Sequence, residues 1–325
     1  MEIVDFNVSH IAEAEKLAMA NYEEERRQVP ILPKVERLPN FTHFAENHLG
    51  VAAFENSKLV GFLGTWSPRP DAFGTTKVKG TFSPIHAHGA IEVKRGRIYA
   101  RMYQAAADKW VKEGIRSHAL ALYTHDKEAI ESFFYQGFGL RCIDAIRGME
   151  EIPFSSKLNY EYGEVPKLEW GKLLELHNAL ITHMGNSPIF MRFPLNNEEE
   201  SLCRNTEDIR YFAVKDKDRY IAYVKIGNEG ENFATVTSGM MNICGAYCLP
   251  EYRGTGVYHN LISYLVTALK NEGYIRLGVD CESFNPTARG FWPKYFTEYT
   301  YSVVRRIDEK AVDALGTSDY GRDCE

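Results

Sequence analysis

One spacing runs through the 325-residue chain: residues 159 positions apart match in kind. Gly114 falls on Gly273, Asp126 on Asn285, Ala129 on Ala288 and Phe133 on Trp292. Tyr99 falls on Tyr258, Met102 on Leu261 and Glu92 on Glu251. Nearer the start, Ile11, Ala14 and Leu17 fall on Trp170, Leu173 and Leu176, an apolar helical stripe in each half. Glycines and capping residues share the offset with the apolar positions, so the chain reads as one unit written twice. Two units of roughly 150 residues also suit a chain of this length.

Between these helices the alignment slips by one or two positions, as insertions in hairpin turns cause. VAAFENSKLVGFLGTW (51–66) and YFAVKDKDRYIAYVKIG (211–227) both read strand, polar turn, strand. Each half therefore runs helix, strands, a strand ending at a glycine-bearing junction, helix, strand, helix, strand. The join falls in EEIPFSSKLNYEYGEVP (150–166), where turn residues replace periodic ones, and sets expected domains at 1–152 and 153–325. The tail from about Asp308 lacks a pattern and is expected at the surface or frayed.

The junction of the second half is CLPEYRGTGVYHNLISYLVTALKNEG (248–273). MNICGAYC before it is a short apolar strand stopped at Leu249-Pro250. Beyond it Val257, Leu261, Leu265 and Leu269 recur every four residues up to a stop at Asn271-Glu272-Gly273. A helix start carries unsatisfied N–H groups and partial positive charge, which suits an anion. Gly254 and Gly256 clear side chains from that start, and Arg253 adds charge at its rim. Neither a Walker loop nor GxGxxG is present, so a nucleoside triphosphate or a dinucleotide is not the expected ligand.

Composition narrows the ligand further. Formal charge is −6, from 38 basic and 44 acidic residues, with no long basic run, which argues against nucleic acid. Six cysteines (Cys142, Cys203, Cys244, Cys248, Cys281, Cys324) form no CxxC pair and read as reduced thiols. Cys244 and Cys248, four apart on a strand, are expected on one face, and no histidine at ligand spacing makes a metal site of them. His86 and His88 read as alternate polar strand positions. No signal peptide and no stretch of about 20 apolar residues is evident, so a cytoplasmic protein without membrane contact is expected.

After the helix comes IRLGVDCESFNPTARGFWPKYF, a short strand followed by Asn285 as N-cap and Pro286 at the first helical position. This order, with Arg253 and Gly256 meeting R/Q-x-x-G-x-G/A and Asn285 and Ala288 meeting N-x-x-A, resembles the GNAT superfamily of acyl-CoA-dependent N-acetyltransferases. The resemblance covers both halves. It implies an α/β (α+β) chain of two tandem GNAT-like domains, each a mixed, mostly antiparallel sheet flanked by helices. It implies acetyl-CoA as acyl donor, no metal, and an amine of a small molecule or peptide as acceptor, on a monomer or homodimer. The pyrophosphate would lie on the backbone of Arg253, Gly254, Thr255, Gly256, Val257 and Tyr258. The pantetheine arm would run between strands 241–248 and 275–282, paired with Tyr247 and Cys248.

Two positions depart from the family pattern. Tyr258 stands where Gly or Ala is usual, its hydroxyl on a phosphate oxygen or its ring packed outward. Trp292 stands where many members carry a tyrosine. A thiol with an ordinary pKa of about 8.5 leaves without full protonation, so losing a general acid costs about 10² to 10⁴ in rate. Asp280 and Glu282, at the end of LGVDCESFN, are candidate bases, and Tyr295 is a candidate hydroxyl donor. A non-catalytic acyl-CoA binder is the alternative, and the net charge disfavours an aminoacyl-tRNA-dependent transferase.

In the first half, Lys94-Arg95-Gly96-Arg97 falls on Arg253-Gly254-Thr255-Gly256. Arg97 in place of Gly256 is expected to fill the space over the helix start and exclude coenzyme A.

Overall fold

The computed structural model describes residues 1–74, 76–195 and 208–313. The chain forms two compact units, residues 1–143 completed by the chain from Tyr299 on, and Asp144–Glu298. This division differs from the sequence boundary at 152, because the last strand of the second half is built into the first unit.

In the first unit, β1 (Glu2–Asp5), α1 (Ile11–Gln28), α2 (Thr42–Glu46), β2 (Val51–Glu55) and β3 (Lys58–Leu63) precede two short strands, β4 (Gly80–Ser83) and β5 (His88–Ala90). Then come α3 (Arg95–Lys112), β6 (Ser117–Tyr123), α4 (Lys127–Tyr135) and β7 (Gly139–Gly148), whose last residues belong to the second unit. The second unit continues with β8 (Glu161–Glu164), α5 (Leu174–Gly185), β9 (Arg210–Asp216), β10 (Arg219–Gly227) and β11 (Met240–Cys248). It closes with α6 (Val257–Asn271), β12 (Arg276–Glu282) and α7 (Pro286–Phe291). β13 (Thr297–Arg306) and α8 (Glu309–Asp313) follow. The element order expected for each half is present, preceded in each by a strand that was not expected, β1 and β8.

In the first unit β1, β2, β3 and β5 form an antiparallel sheet, while β4 lies parallel to β6, which pairs antiparallel with β13. Val303 of β13 sits opposite Leu120 in that unit's core, which is why the strand is held there. In the second unit the order is β7, β12, β11, β10, β9, β8, with β11 and β12 parallel. The segment expected as a plain connection thus supplies an edge strand, β8, in antiparallel register with β9. Trp170 and Leu173 are buried as expected but lie in a 3₁₀ stretch after Pro166, and the α-helix starts only at Leu174. The tail is patterned as far as α8, and residues 314–325 lie outside the described ones.

Of His86 and His88, expected at alternate strand positions, only His88 lies in a strand, and His86 lies in the turn before it. Both are buried, and burial lowers each to about 4. His88 Nε2 faces the Ala121 carbonyl at 2.6 Å and must donate, so Nδ1 accepts from the Tyr99 hydroxyl at 3.0 Å.

The bodies of α3 and α6 superimpose in sequence. Ile98, Met102, Tyr103, Ala106 and Trp110 are buried in α3, and at the 159 spacing Val257, Leu261, Ile262, Leu265 and Leu269 are buried in α6. Their starts do not. α6 begins at Val257, after Gly256 with φ of +93°, whereas α3 begins at Arg95, after Lys94 with φ of +58°. Arg95, Gly96 and Arg97 are wound into helix where Gly254, Thr255 and Gly256 remain loop.

That extra turn is closed off by carboxylates. The Gly96 N–H donates to Glu128 Oε2 at 3.1 Å, so an acidic side chain takes the anion's place at this helix start. Buried Arg95 reaches Glu24 with two nitrogens, at 2.7 and 3.1 Å, and lies 3.4 Å from Asp126. His125 joins Glu24, 3.2 Å from Nε2, to buried Glu25 through Nδ1. Arg97 is exposed and blocks nothing, so the closure expected from its side chain comes from Arg95 and Glu128.

Replacing Arg95 with Ala leaves Glu24 and Asp126 crowded without their cation, and is expected to destabilise the first unit by about 3 kcal/mol in chemical denaturation. Burial works against the charge on His125, but its contacts with Glu25 and Glu24 outweigh it and raise its pKa. Its contribution is therefore complete below about 6.5, the ordinary histidine value, and is lost as pH rises through the raised value. The denaturation midpoint followed from pH 6 to 9 should fall, and His125→Asn should flatten that fall.

Candidate functional site

The site is built where β11 leaves its neighbour. β11 pairs with β12 from Met240↔Arg276 to Ile243↔Val279, and with β10 as far as Ala222↔Cys248. Lys225 faces Gly245 while Ile226 faces Ile243, so Cys244 is an extra residue, a bulge. A bulge bends and twists its strand, and here it turns the end of β11 along β10 and away from β12. The bulge also reverses the alternation of side chains. Cys244 is exposed and Cys248 buried, so the two do not share the expected face. Burial pushes the Cys248 thiol up to about 11 and that of Cys281 to about 12, which keeps both protonated and unreactive. Cys203 and Cys324 lie outside the described residues.

After Pro250 the chain reaches Gly254, with φ of +75°, and Gly256. Such angles favour glycine, and they let the loop pass over the start of α6 without side chains. A Cβ on Gly254 would meet nothing within 4 Å, and one on Gly256 would touch only Leu158 Cδ1 at 3.4 Å. No side chain caps α6, in contrast to the Glu128 carboxylate at α3. Its first N–H groups and the positive end of its dipole remain available to an anion.

Beside this cradle is a cavity of about 500 Å³. Its walls are Ala246, Tyr247 and Cys248 of β11, the loop at Arg253, Gly254 and Gly256, Tyr258 and His259 of α6, Asn285 and Ala288 at α7, the aromatic group Phe291, Trp292 and Tyr295, and Leu180 and His183 of α5. The expected residues Tyr247, Cys248, Arg253, Gly254, Gly256, Tyr258, Asn285, Ala288 and Tyr295 are thus brought together. Thr255, Val257, Asp280 and Glu282 are not among the lining residues. Thr255 donates to Tyr252 O at 2.7 Å, and Val257 is buried in the core.

Arg253 folds back on β11. Its Nε donates to the Cys248 carbonyl at 2.9 Å, and its guanidinium lies 5.2 Å from the Tyr247 ring centre. One lone pair of that carbonyl, expected to serve a ligand amide, is already taken. Asn285 caps α7 as expected, its Oδ1 accepting from Ala288 N at 3.4 Å and from the Thr287 hydroxyl at 2.8 Å. Tyr258 does neither of the two things expected of it. Its hydroxyl donates to Tyr223 O at 3.1 Å, and its ring packs inward on Phe291 and Trp292. Trp292, at the family tyrosine position, is buried and carries no hydroxyl.

Tyr295 belongs to a pair that sequence reading missed. His259 Nε2 lies 2.6 Å from the Pro153 carbonyl and must donate, so Nδ1 accepts from the Tyr295 hydroxyl at 2.7 Å. Burial raises the Tyr295 pKa, with Arg147 pulling the other way. Asp280 is pushed well above the carboxylate range by burial and then by Glu231, Asp144 and Glu282. Among the described residues no group of three His, Cys, Asp or Glu side chains is arranged to hold a metal. His183, the second residue missed, sits at the end of α5 with Nε2 at 3.1 Å from the Thr287 hydroxyl and 3.4 Å from Asn285 Oδ1. Its partners are about a hundred residues away in sequence, so no local pattern marks it.

Among the described residues no helix is long and apolar enough to cross a membrane. A family model for the acetyltransferase (GNAT) family matches residues 178–296, which include the bulge, the cradle and α7. A GCN5-related N-acetyltransferase from Sphaerobacter thermophilus has a similar fold over 94% of this chain and 95% of its own, at 10% identity and a TM-score of 0.58. A GCN5-related glucosamine N-acetyltransferase region of a fungal multi-domain GH3 beta-N-acetylglucosaminidase is similar over 93% of this chain and 38% of its own, at 11% identity and a TM-score of 0.54. Comparison with curated proteins returns no match. The splayed strands and the open helix start thus lie inside the segment, residues 178–296, that matches the acetyltransferase (GNAT) family model, on a mixed α/β fold.

Proposed function

We propose that the chain is an acetyl-CoA-dependent N-acetyltransferase acting in the cytoplasm, with its active site in the second half and an amine of a small molecule or peptide as acceptor. The observation that carries this reading is the open cradle at Gly254 and Gly256 beside a 500 Å³ cavity, within the family match. The residues present fit the donor: backbone N–H groups of α6 for the pyrophosphate, and the departing edge of β11 for the pantetheine amides. The bound donor supplies the thioester. Arg253 holds the end of β11 in place, and Asn285 fixes the opposite wall.

The first half, in this reading, is a GNAT-like unit that holds no coenzyme A, because Glu128 and Arg95 occupy the position that Thr287 and Gly254 leave open in the second. A second reading, an acyl-CoA binder without catalysis, is favoured by Trp292, which removes the family's hydroxyl. Tyr295 would supply a hydroxyl in its place under the first reading.

Titration calorimetry with acetyl-CoA tests the assignment. Arginine at 256 must adopt a left-handed angle and puts a side chain into the cradle, so Gly256→Arg should weaken binding by about 30-fold or more, on the order of 2 kcal/mol. Equal affinity in wild type and variant, with unchanged far-ultraviolet circular dichroism, rules the site out.

A further inference from the structure

We infer that His183, in the cavity wall, is the proton acceptor for the attacking nucleophile, with Thr287 and Asn285 as the positioning residues that engage its Nε2 and leave its Nδ1 lone pair free. This rests on the transfer reading above. The Thr287 hydroxyl donates its single proton to Asn285 Oδ1 at 2.8 Å. Its oxygen therefore faces His183 Nε2, at 3.1 Å, as an acceptor, and Asn285 Oδ1, also an acceptor, lies 3.4 Å from the same nitrogen. Nε2 must carry the hydrogen. In neutral His183 the other nitrogen, Nδ1, then has a free lone pair, and among the described residues nothing donates to it.

Other titratable groups of the cavity wall are engaged differently. His259 has both nitrogens bonded, to Tyr295 and Pro153. Tyr258 donates to Tyr223 O, and Arg253 is bound to Cys248 O. The Cys248 thiol stays protonated, and Tyr247 lies between the His183 ring and the Arg253 guanidinium. His183 is the one imidazole of this wall with a nitrogen to spare. The repeat supports the placement: at the 159 spacing His183 falls on Glu24, the residue that in the first unit reaches over the helix start to grip Arg95. The second unit keeps this reach but ends it in a base beside an open cavity.

The step balances without a further reactant. The amine nitrogen attacks the thioester carbonyl carbon, the C–N bond forms and the C–S bond breaks. The nitrogen's proton passes to His183 Nδ1, and the thiolate leaves with the bonding pair, to be protonated by the Tyr295 hydroxyl, by solvent or by the imidazolium.

Two measurements on the full chain test this. In ¹⁵N spectra of histidine-labelled protein, with the His183 signals identified by their loss in His183→Gln, neutral His183 should be the Nε2–H tautomer, and an Nδ1–H tautomer would overturn the inference whatever the activity. Thiol release from acetyl-CoA with a panel of primary amines should fall by about 10² to 10⁴ in His183→Gln, with the acidic limb of the pH profile lost and calorimetric acetyl-CoA affinity kept within threefold. Unchanged release with an unchanged pH profile refutes the role of His183 and leaves the transferase reading standing. Tight acetyl-CoA binding by wild type with no release to any amine or to water refutes the transferase reading, and this inference falls with it.

Discussion

The start of an α-helix presents N–H groups that need a negative partner, and each unit of this protein meets that need at its central helix in its own way. In the first unit the partner is internal: the Glu128 carboxylate accepts from Gly96, and Arg95 fills the adjoining space under the grip of Glu24 and Asp126. In the second, Gly254 and Gly256 hold the loop clear, and the N–H groups face a cavity. An internal carboxylate stabilises the fold, whereas an open helix start gives up that stabilisation until a ligand restores it.

The cavity itself depends on one extra residue. Cys244 interrupts the register of β11 with β10, and the strand departs from β12 after Ile243. The same departure is more severe in the first unit, where β4 follows β6 and β5 follows β3 as separate strands joined through Pro84 to Ala87. There buried His88 is bonded to the Tyr99 hydroxyl and the Ala121 carbonyl. In the second the space is a cavity lined by Tyr258, Phe291, Trp292 and His183, among others.

How much of this was readable from the residues depended on the range of the interaction. Helix bodies were legible because their buried stripes repeat every three or four residues, and the 159 spacing joined Met102 to Leu261 and Trp110 to Leu269. The cradle was legible too, because glycine at a helix start has a local backbone reason. The bulge was not, since nothing within MNICGAYC marks Cys244; the register against Lys225 and Ile226 selects it. Arg97 matches Gly256 at the 159 spacing, yet the closure comes from Glu128 and Arg95, through an extra helical turn that no local rule predicts. The roles of Tyr258, His259 and His183 were hidden for the same reason, since each is set by a partner 35 or more residues away.

The central claim is that only one of the two helix starts takes the ligand. Amide hydrogen exchange with and without saturating acetyl-CoA reads both starts in one experiment. The account predicts slowed exchange at residues 254–258 and at the end of β11, with residues 96–99 unchanged. Equal protection of both helix starts, or protection of 96–99 alone, would contradict it.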